Sequence, residues 1–130
     1  MISIKVSEYM TKSPHTVGQE QSLSRAHEIM RKYTIRHLPV LHGGNLVGVV
    51  SLQDLDLTES LKDVDVNSTT VEEAMTIEPY IVPADKTLRE VVEVMVEKKI
   101  GSTIVGDRNE VLGVFTAVDA MRALRDLLSR

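Results

Sequence analysis

Residues 6–55 read onto residues 71–120 at a constant offset of 65, with no gap. Val6, Glu8, Met10, Thr11, Pro14 and Val17 fall on Val71, Glu73, Met75, Thr76, Pro79 and Val82. Leu23, Glu28, Met30, Ile35 and Val40 fall on Leu88, Glu93, Met95, Ile100 and Val105, and Gly48, Val49 and Asp54 on Gly113, Val114 and Asp119. These 14 identities in 50 positions, with conservative pairs such as Leu46/Val111 and Ser51/Thr116, mark a duplicated unit. Two copies are too few for a solenoid. A unit of about 60 residues buries too small a share of its surface to be secure alone. The duplication therefore predicts two copies sharing a core as one pseudo-symmetric α/β domain. Residues 2–60 are the first copy, 61–70 the linker and 71–130 the second copy.

Each copy has the same layout: a short apolar-spaced helical turn, a strand, a helix, two strands and a closing helix. Val6 and Met10, then Val71 and Met75, mark the opening turns. His15-Thr16-Val17 and Tyr80-Ile81-Val82 read as short extended pieces. Ser22 is placed to cap a helix carrying Leu23, Ala26, Ile29, Met30 and Tyr33 on one face. Thr87-Leu-Arg-Glu90 reads as a capping box before Leu88, Val91, Val92, Met95 and Val96. Leu38–Leu41 and Leu46–Val50 flank His42-Gly-Gly-Asn45, a hairpin signal. Thr103–Val105 and Val111–Phe115 flank a second turn, and closing helices start just after Ser51 and Thr116.

Composition removes several function classes. The 130 residues contain no cysteine, which excludes disulfides, thiol catalysis and thiolate metal centres. The net charge of -4 argues against a protein living on nucleic-acid phosphates. No apolar run reaches the roughly 18–20 residues of a membrane helix, and the first residues lack a signal-peptide core. The reading is a cytoplasmic protein with no membrane insertion. His15, His27, His37 and His42 lack the i, i+4 spacing of a metal site, so no metal is expected. No catalytic order of nucleophile, base and acid and no phosphate-binding glycine loop stands out, so no catalytic residue is assigned and no enzyme is expected.

Gly48-Val-Val-Ser51-Leu-Gln-Asp54 and Gly113-Val-Phe-Thr116-Ala-Val-Asp119 share one pattern at the repeat offset. One reading is structural: a hydroxyl followed three residues later by an acid starts a helix. The other is functional: the hydroxyl and free N–H groups hold a phosphate while the acid accepts bonds from ribose hydroxyls. The paired occurrence favours function. Arg36-His37, before the Leu38-Pro39-Val40 strand, is either a solvated loop or a phosphate contact. The second copy has Gly101-Ser102 there, followed by Thr103, so a phosphate site would be asymmetric. Since His37 ordinarily titrates near neutrality, phosphate binding there is expected to strengthen as pH falls from about 8 to 6.

In these markers, present in order and twice over nearly the whole chain, the sequence resembles a tandem pair of CBS domains, the Bateman module. They are Val6 to Pro14, Ile35-Arg-His-Leu-Pro-Val40 and Gly48 to Asp54, with Val71 to Pro79, Ile100-Gly-Ser-Thr-Ile-Val105 and Gly113 to Asp119 in the second copy. The resemblance implies two pseudo-symmetric CBS-type units packed through their sheets. It implies a non-catalytic regulatory module that binds adenosine nucleotides (AMP, ADP, ATP or S-adenosylmethionine) in clefts between the repeats and signals to a protein partner in trans. Asp54 or Asp119 would hold ribose, and Ser51 or Thr116 would touch ribose or phosphate. His15, Thr16, Tyr80 and Ile81 would line the adenine slot with Val49 and Val114, and Arg36 and His37 would meet phosphate. The strand starts Leu38-Pro39 and Gly101-Ser102-Thr103 complete the implied ligand-binding set. No cofactor is required beyond the regulatory nucleotide, and a homodimer is implied. The alternative is a ligand-free dimerisation or partner-docking scaffold of the same fold.

Overall fold

The computed structural model describes residues 3–130. The chain forms two compact units. One runs from His15 to Pro79; the other joins the described residues up to Pro14 with Tyr80–Arg130. The units therefore do not follow the linear repeats: the opening arm of each sequence copy folds with the sheet of the other.

In the His15–Pro79 unit, β2 (Val17–Gly18) leads into α1 (Leu23–Tyr33), then β3 (His37–His42), β4 (Asn45–Ser51) and α2 (Leu52–Glu59). β2 runs parallel to β3, and β3 pairs antiparallel with β4. In the other unit, β1 (Thr11–Lys12), β5 (Ile81–Val82), α3 (Leu88–Lys98), β6 (Ser102–Gly106), β7 (Val111–Thr116) and α4 (Ala117–Leu128) repeat the plan. Its sheet order is β1-β7-β6-β5.

The exchanged arms explain the repeated glycine pair, Gly48 and Gly113. Thr11 pairs with Val114 of β7, and Thr76 pairs with Val49 of β4, each beside a glycine. A Cβ on Gly48 would lie 2.6 Å from the Thr76 carbonyl oxygen and 2.9 Å from Met75 Sδ. On Gly113 it would lie 2.8 Å from Thr11 O and 2.6 Å from Met10 Sδ. The Met-Thr pair of one repeat thus seats on the glycine of the other, which ties those identities together.

Local sequence sets the elements. Ser22 Oγ accepts the Arg25 N–H at 3.1 Å and caps α1. Thr87 Oγ1 accepts from Glu90 N at 3.3 Å and caps α3; the Glu90 carboxylate returns to the Thr87 hydroxyl, not to its backbone. Both helices end on a residue in the left-handed region, Thr34 and Lys99. Ile35 and Ile100 then donate N–H groups back to Met30 and Met95, closing the ends alike. Gly43 and Gly44, both at positive φ, make the tight β3–β4 turn that the sequence signals. Each unit has its own apolar core, not the one shared core expected from the duplication. Leu23, Ala26, Ile29, Met30, Leu38, Val40, Val50, Leu55 and Val71 fill one. Val6, Val82, Leu88, Val91, Met95, Val105, Phe115 and Ala123 fill the other. Val64 and Val66, both within the segment read as linker, pack on the first core.

Candidate functional site

The two repeated motifs form corners where a strand ends and a helix begins. In the His15–Pro79 unit, β3 and β4 pair so that His37 lies opposite Ser51. The Leu52 N–H donates to the Arg36 carbonyl at 2.8 Å, fixing the start of α2 against the entrance of β3. Ser51 Oγ accepts the Asp54 N–H at 3.0 Å, and Asp54 Oδ2 accepts the Ser51 N–H at 2.9 Å. This reciprocal pair is the helix-start reading of the motif. Asp54 is half-buried, and among the described residues its Oδ1 has no hydrogen-bond partner. The corner thus holds Arg36, His37, Ser51 and Asp54, with an acceptor oxygen and an exposed guanidinium to offer.

His37 departs from its expected behaviour. Burial lowers its pKa below the ordinary 6.5; the Asp54 carboxylate opposes this and Arg36 adds to it. The imidazole is therefore more firmly neutral near pH 7 than its sequence suggests, and the window for its protonation moves to more acidic pH.

In the other unit Ser102 lies opposite Thr116, and the Ala117 N–H donates to Gly101 O at 3.2 Å. Here the acid is consumed. Asp119 Oδ2 accepts from the Thr116 N–H at 2.9 Å and from its hydroxyl at 3.2 Å. Asp119 Oδ1 accepts from Arg122 Nη2 at 2.8 Å and from the Thr11 hydroxyl at 3.3 Å. Arg122 Nη2 also reaches the Tyr9 carbonyl at 2.9 Å. Asp119 is only 4% exposed. The position matching Arg122 in the first copy is Leu57, an exposed apolar residue that offers Asp54 nothing. Arg122 is the site residue that sequence reasoning missed. Its signal was an acid–base pair at i, i+3 on a helix, a spacing that brings side chains together.

The remaining predicted residues distribute between the corners and the cores. His15 is exposed and stacks on Tyr33 of α1, ring centroids 3.6 Å apart. Thr16, Val49 and Ile81 are half-buried. Tyr80 packs partly buried against its unit's core. Leu38 is a fully buried core residue, Pro39 is buried beside it, and Val114 is buried opposite Thr11. Thr103 is also fully buried, and its hydroxyl is a side-chain group without a partner among the described residues.

Comparison with known proteins bears on the family and the fold. The family model for the CBS domain matches residues 6–56 and 71–126. Inosine-5'-monophosphate dehydrogenase of Korarchaeum cryptofilum is 33% identical over 105 residues, covering 80% of this chain and 21% of its own length. The chain spans between 21% and 44% of the first curated relatives it matches. Among solved structures, a putative acetoin utilization protein from Vibrio cholerae has a TM-score of 0.86 at 29% identity, covering 98% of this chain and 95% of its own. The CBS domain pair of protein MJ0100, solved in complex with 5'-methylthioadenosine and S-adenosyl-L-methionine, has a TM-score of 0.87 at 26% identity. That match covers 97% of this chain and 99% of the other.

Proposed function

The chain belongs to the CBS-domain family, and from that premise we propose that it is a non-catalytic, cytoplasmic regulatory module whose primary ligand site is the Asp54 corner. The ligand class is an adenosine nucleotide or adenosyl compound, in keeping with the adenosyl ligands of the MJ0100 pair. The observation that carries this reading is Asp54 itself. One carboxylate oxygen is held by the backbone and the other has no partner among the described residues, in a corner whose strand entrance carries the exposed Arg36. In this role Asp54 Oδ1 accepts from ribose hydroxyls, Ser51 and the first N–H groups of α2 face ribose or phosphate, and Arg36 neutralises phosphate charge. His15, Thr16 and Val49 supply the adenine contacts, with Leu38 and Pro39 as the buried floor of β3.

The Asp119 corner, with Tyr80, Ile81, Gly101, Ser102, Thr103, Val114 and Thr116, is the secondary site. Its acid must be released by Arg122 before ribose can reach it, and Gly101-Ser102 brings no cation. The two sites are therefore unequal, and ligand fills the Asp54 corner first. The module signals to a protein partner in trans and acts as a homodimer. For dimerisation the apolar groove beside α3 and α4, with a volume of 640 Å³ and including Val92, Met121, Leu124 and Leu127 in its lining, is the candidate face. The same groove also supports the second reading, a ligand-free docking scaffold of this fold.

Thermal-shift screening separates the two. A ligand that binds only the folded chain raises its melting temperature by mass action. AMP, ADP, ATP and S-adenosylmethionine are the panel; a rise with at least one, abolished in Asp54→Ala, supports the sensor. No rise with any of them supports the scaffold.

A further inference from the structure

Away from both corners, three metal-ligating side chains converge. His27 on α1 meets Glu59 on α2, Nε2 to Oε2 at 2.6 Å. Asp56, on the same helix three residues before Glu59, joins them: one ligand atom from each of the three lies within 4.8 Å of the others. His27 and Glu59 are mostly buried, with side chains 19% and 23% exposed, while Asp56 faces solvent. We propose that His27, Asp56 and Glu59 form a binding site for a divalent transition-metal ion of the zinc type.

Electrostatics favours a cation here. Asp56 and Glu59 are like charges at i, i+3, which oppose one another on a helix surface. Both lie in the last turn of α2, where the helix dipole disfavours negative charge, and that turn carries no basic residue. Among the described residues Glu59 pairs only with His27, and Asp56 has no ion-pair partner. One divalent ion relieves the repulsion and both dipole penalties together.

The duplication supplies an internal control. Sixty-five residues on, the matching positions are Val92, Met121 and Leu124. All three line the apolar groove beside α3 and α4. The same pair of helices therefore folds with apolar residues at all three positions, so the fold itself does not call for polar ones. In the other copy all three are replaced together by residue types that ligate metals. One such change would be an ordinary solvated side chain; three that meet across two helices make a donor set.

The donor chemistry selects the ion. One imidazole nitrogen with two carboxylates suits zinc and its neighbours, whereas calcium and magnesium favour oxygen-only shells. Metal–ligand bonds of about 2.0–2.2 Å require donor atoms about 3 Å apart or more, so small side-chain rotations of His27 and Glu59 suffice. Solvent beyond the exposed Asp56 completes the shell.

Calorimetric titration of the full chain with ZnCl2, with MgCl2 as comparison, tests the site. Saturable binding of one ion per chain is expected, weakened about tenfold or more in His27→Gln and in Asp56→Asn. His42→Gln, a change at an exposed histidine of a turn, should leave it intact. Asp56→Asn guards against a folding artefact, because that side chain is exposed and has no ion-pair partner among the described residues. No saturable zinc binding overturns the proposal. So does binding unaltered in both His27→Gln and Asp56→Asn, binding lost in His42→Gln, or an equal response to MgCl2.

Discussion

Arg122 donates from Nη2 to Asp119 Oδ1 at 2.8 Å, whereas position 57, its counterpart in the first repeat, is leucine. The two motif acids therefore differ in their hydrogen-bond partners. Asp119 is satisfied inside the protein, and among the described residues Asp54 keeps one oxygen without a partner. The duplicated motif carries one open corner and one closed corner.

Arg122→Leu tests the closure. Removing the guanidinium leaves Asp119 Oδ1 with only the Thr11 hydroxyl and frees the Tyr9 carbonyl, so stability should fall by about 1–3 kcal/mol in urea unfolding. The same variant should gain a second, weaker ligand site. A stoichiometry and stability identical to the parent's would show that Arg122 does not hold the corner shut.

Gly48→Ala tests the exchanged arms. The new Cβ would fall 2.6 Å from the Thr76 backbone carbonyl, so the arm must shift away from β4. A loss of about 1–3 kcal/mol is expected, of the size overpacking produces. An unchanged melting temperature would mean that the arm is not seated there.

His37 gives a pH signature. Its folded-state pKa lies below the ordinary 6.5, because burial disfavours the charged ring. Above that value the ring is neutral in both folded and unfolded chains and contributes nothing. As pH falls through it, the unfolded chain takes up a proton that the folded chain refuses, so stability falls. His37→Gln should flatten this part of the stability–pH curve between about pH 6.5 and the lowered folded value. A curve that His37→Gln leaves unaltered would contradict the assignment. An anionic ligand favours the protonated ring, so nucleotide binding should strengthen on acidification mainly below pH 6.5, not across the whole span from 8 to 6.

Much of this was legible in the residues. Helix caps at Ser22, Ser51 and Thr87, the glycine turn at 43–44 and most of the apolar faces of α1 and α3 are local signals that the structure bears out, but Tyr33 and Val96, read onto those faces, are exposed. The exchange of arms was not legible. Two-residue strands such as Thr11–Lys12 carry no periodicity, and the repeat alone does not say which sheet each arm joins. The burial that depresses His37 is tertiary and invisible in a spacing. The meeting of His27 with Asp56 and Glu59 escaped a search for i, i+4 histidines because it joins two helices. The Asp119–Arg122 pair lay in plain view at i, i+3, but the motif drew notice to the acid's resemblance to Asp54 and away from its neighbour.

In the proposed reading, ligand is held first at Asp54 and not at Asp119. Calorimetric titration of the parent, Asp54→Asn and Asp119→Asn with ATP and with S-adenosylmethionine tests it directly. One dominant site per chain is expected for at least one of these ligands. Asp54→Asn should weaken it by about tenfold or more, the equivalent of roughly 1.4 kcal/mol for a lost charged acceptor to ribose. Asp119→Asn should leave that site unchanged. Equal affinity in the parent and Asp54→Asn for both ligands, or a loss that follows Asp119 instead, would contradict it.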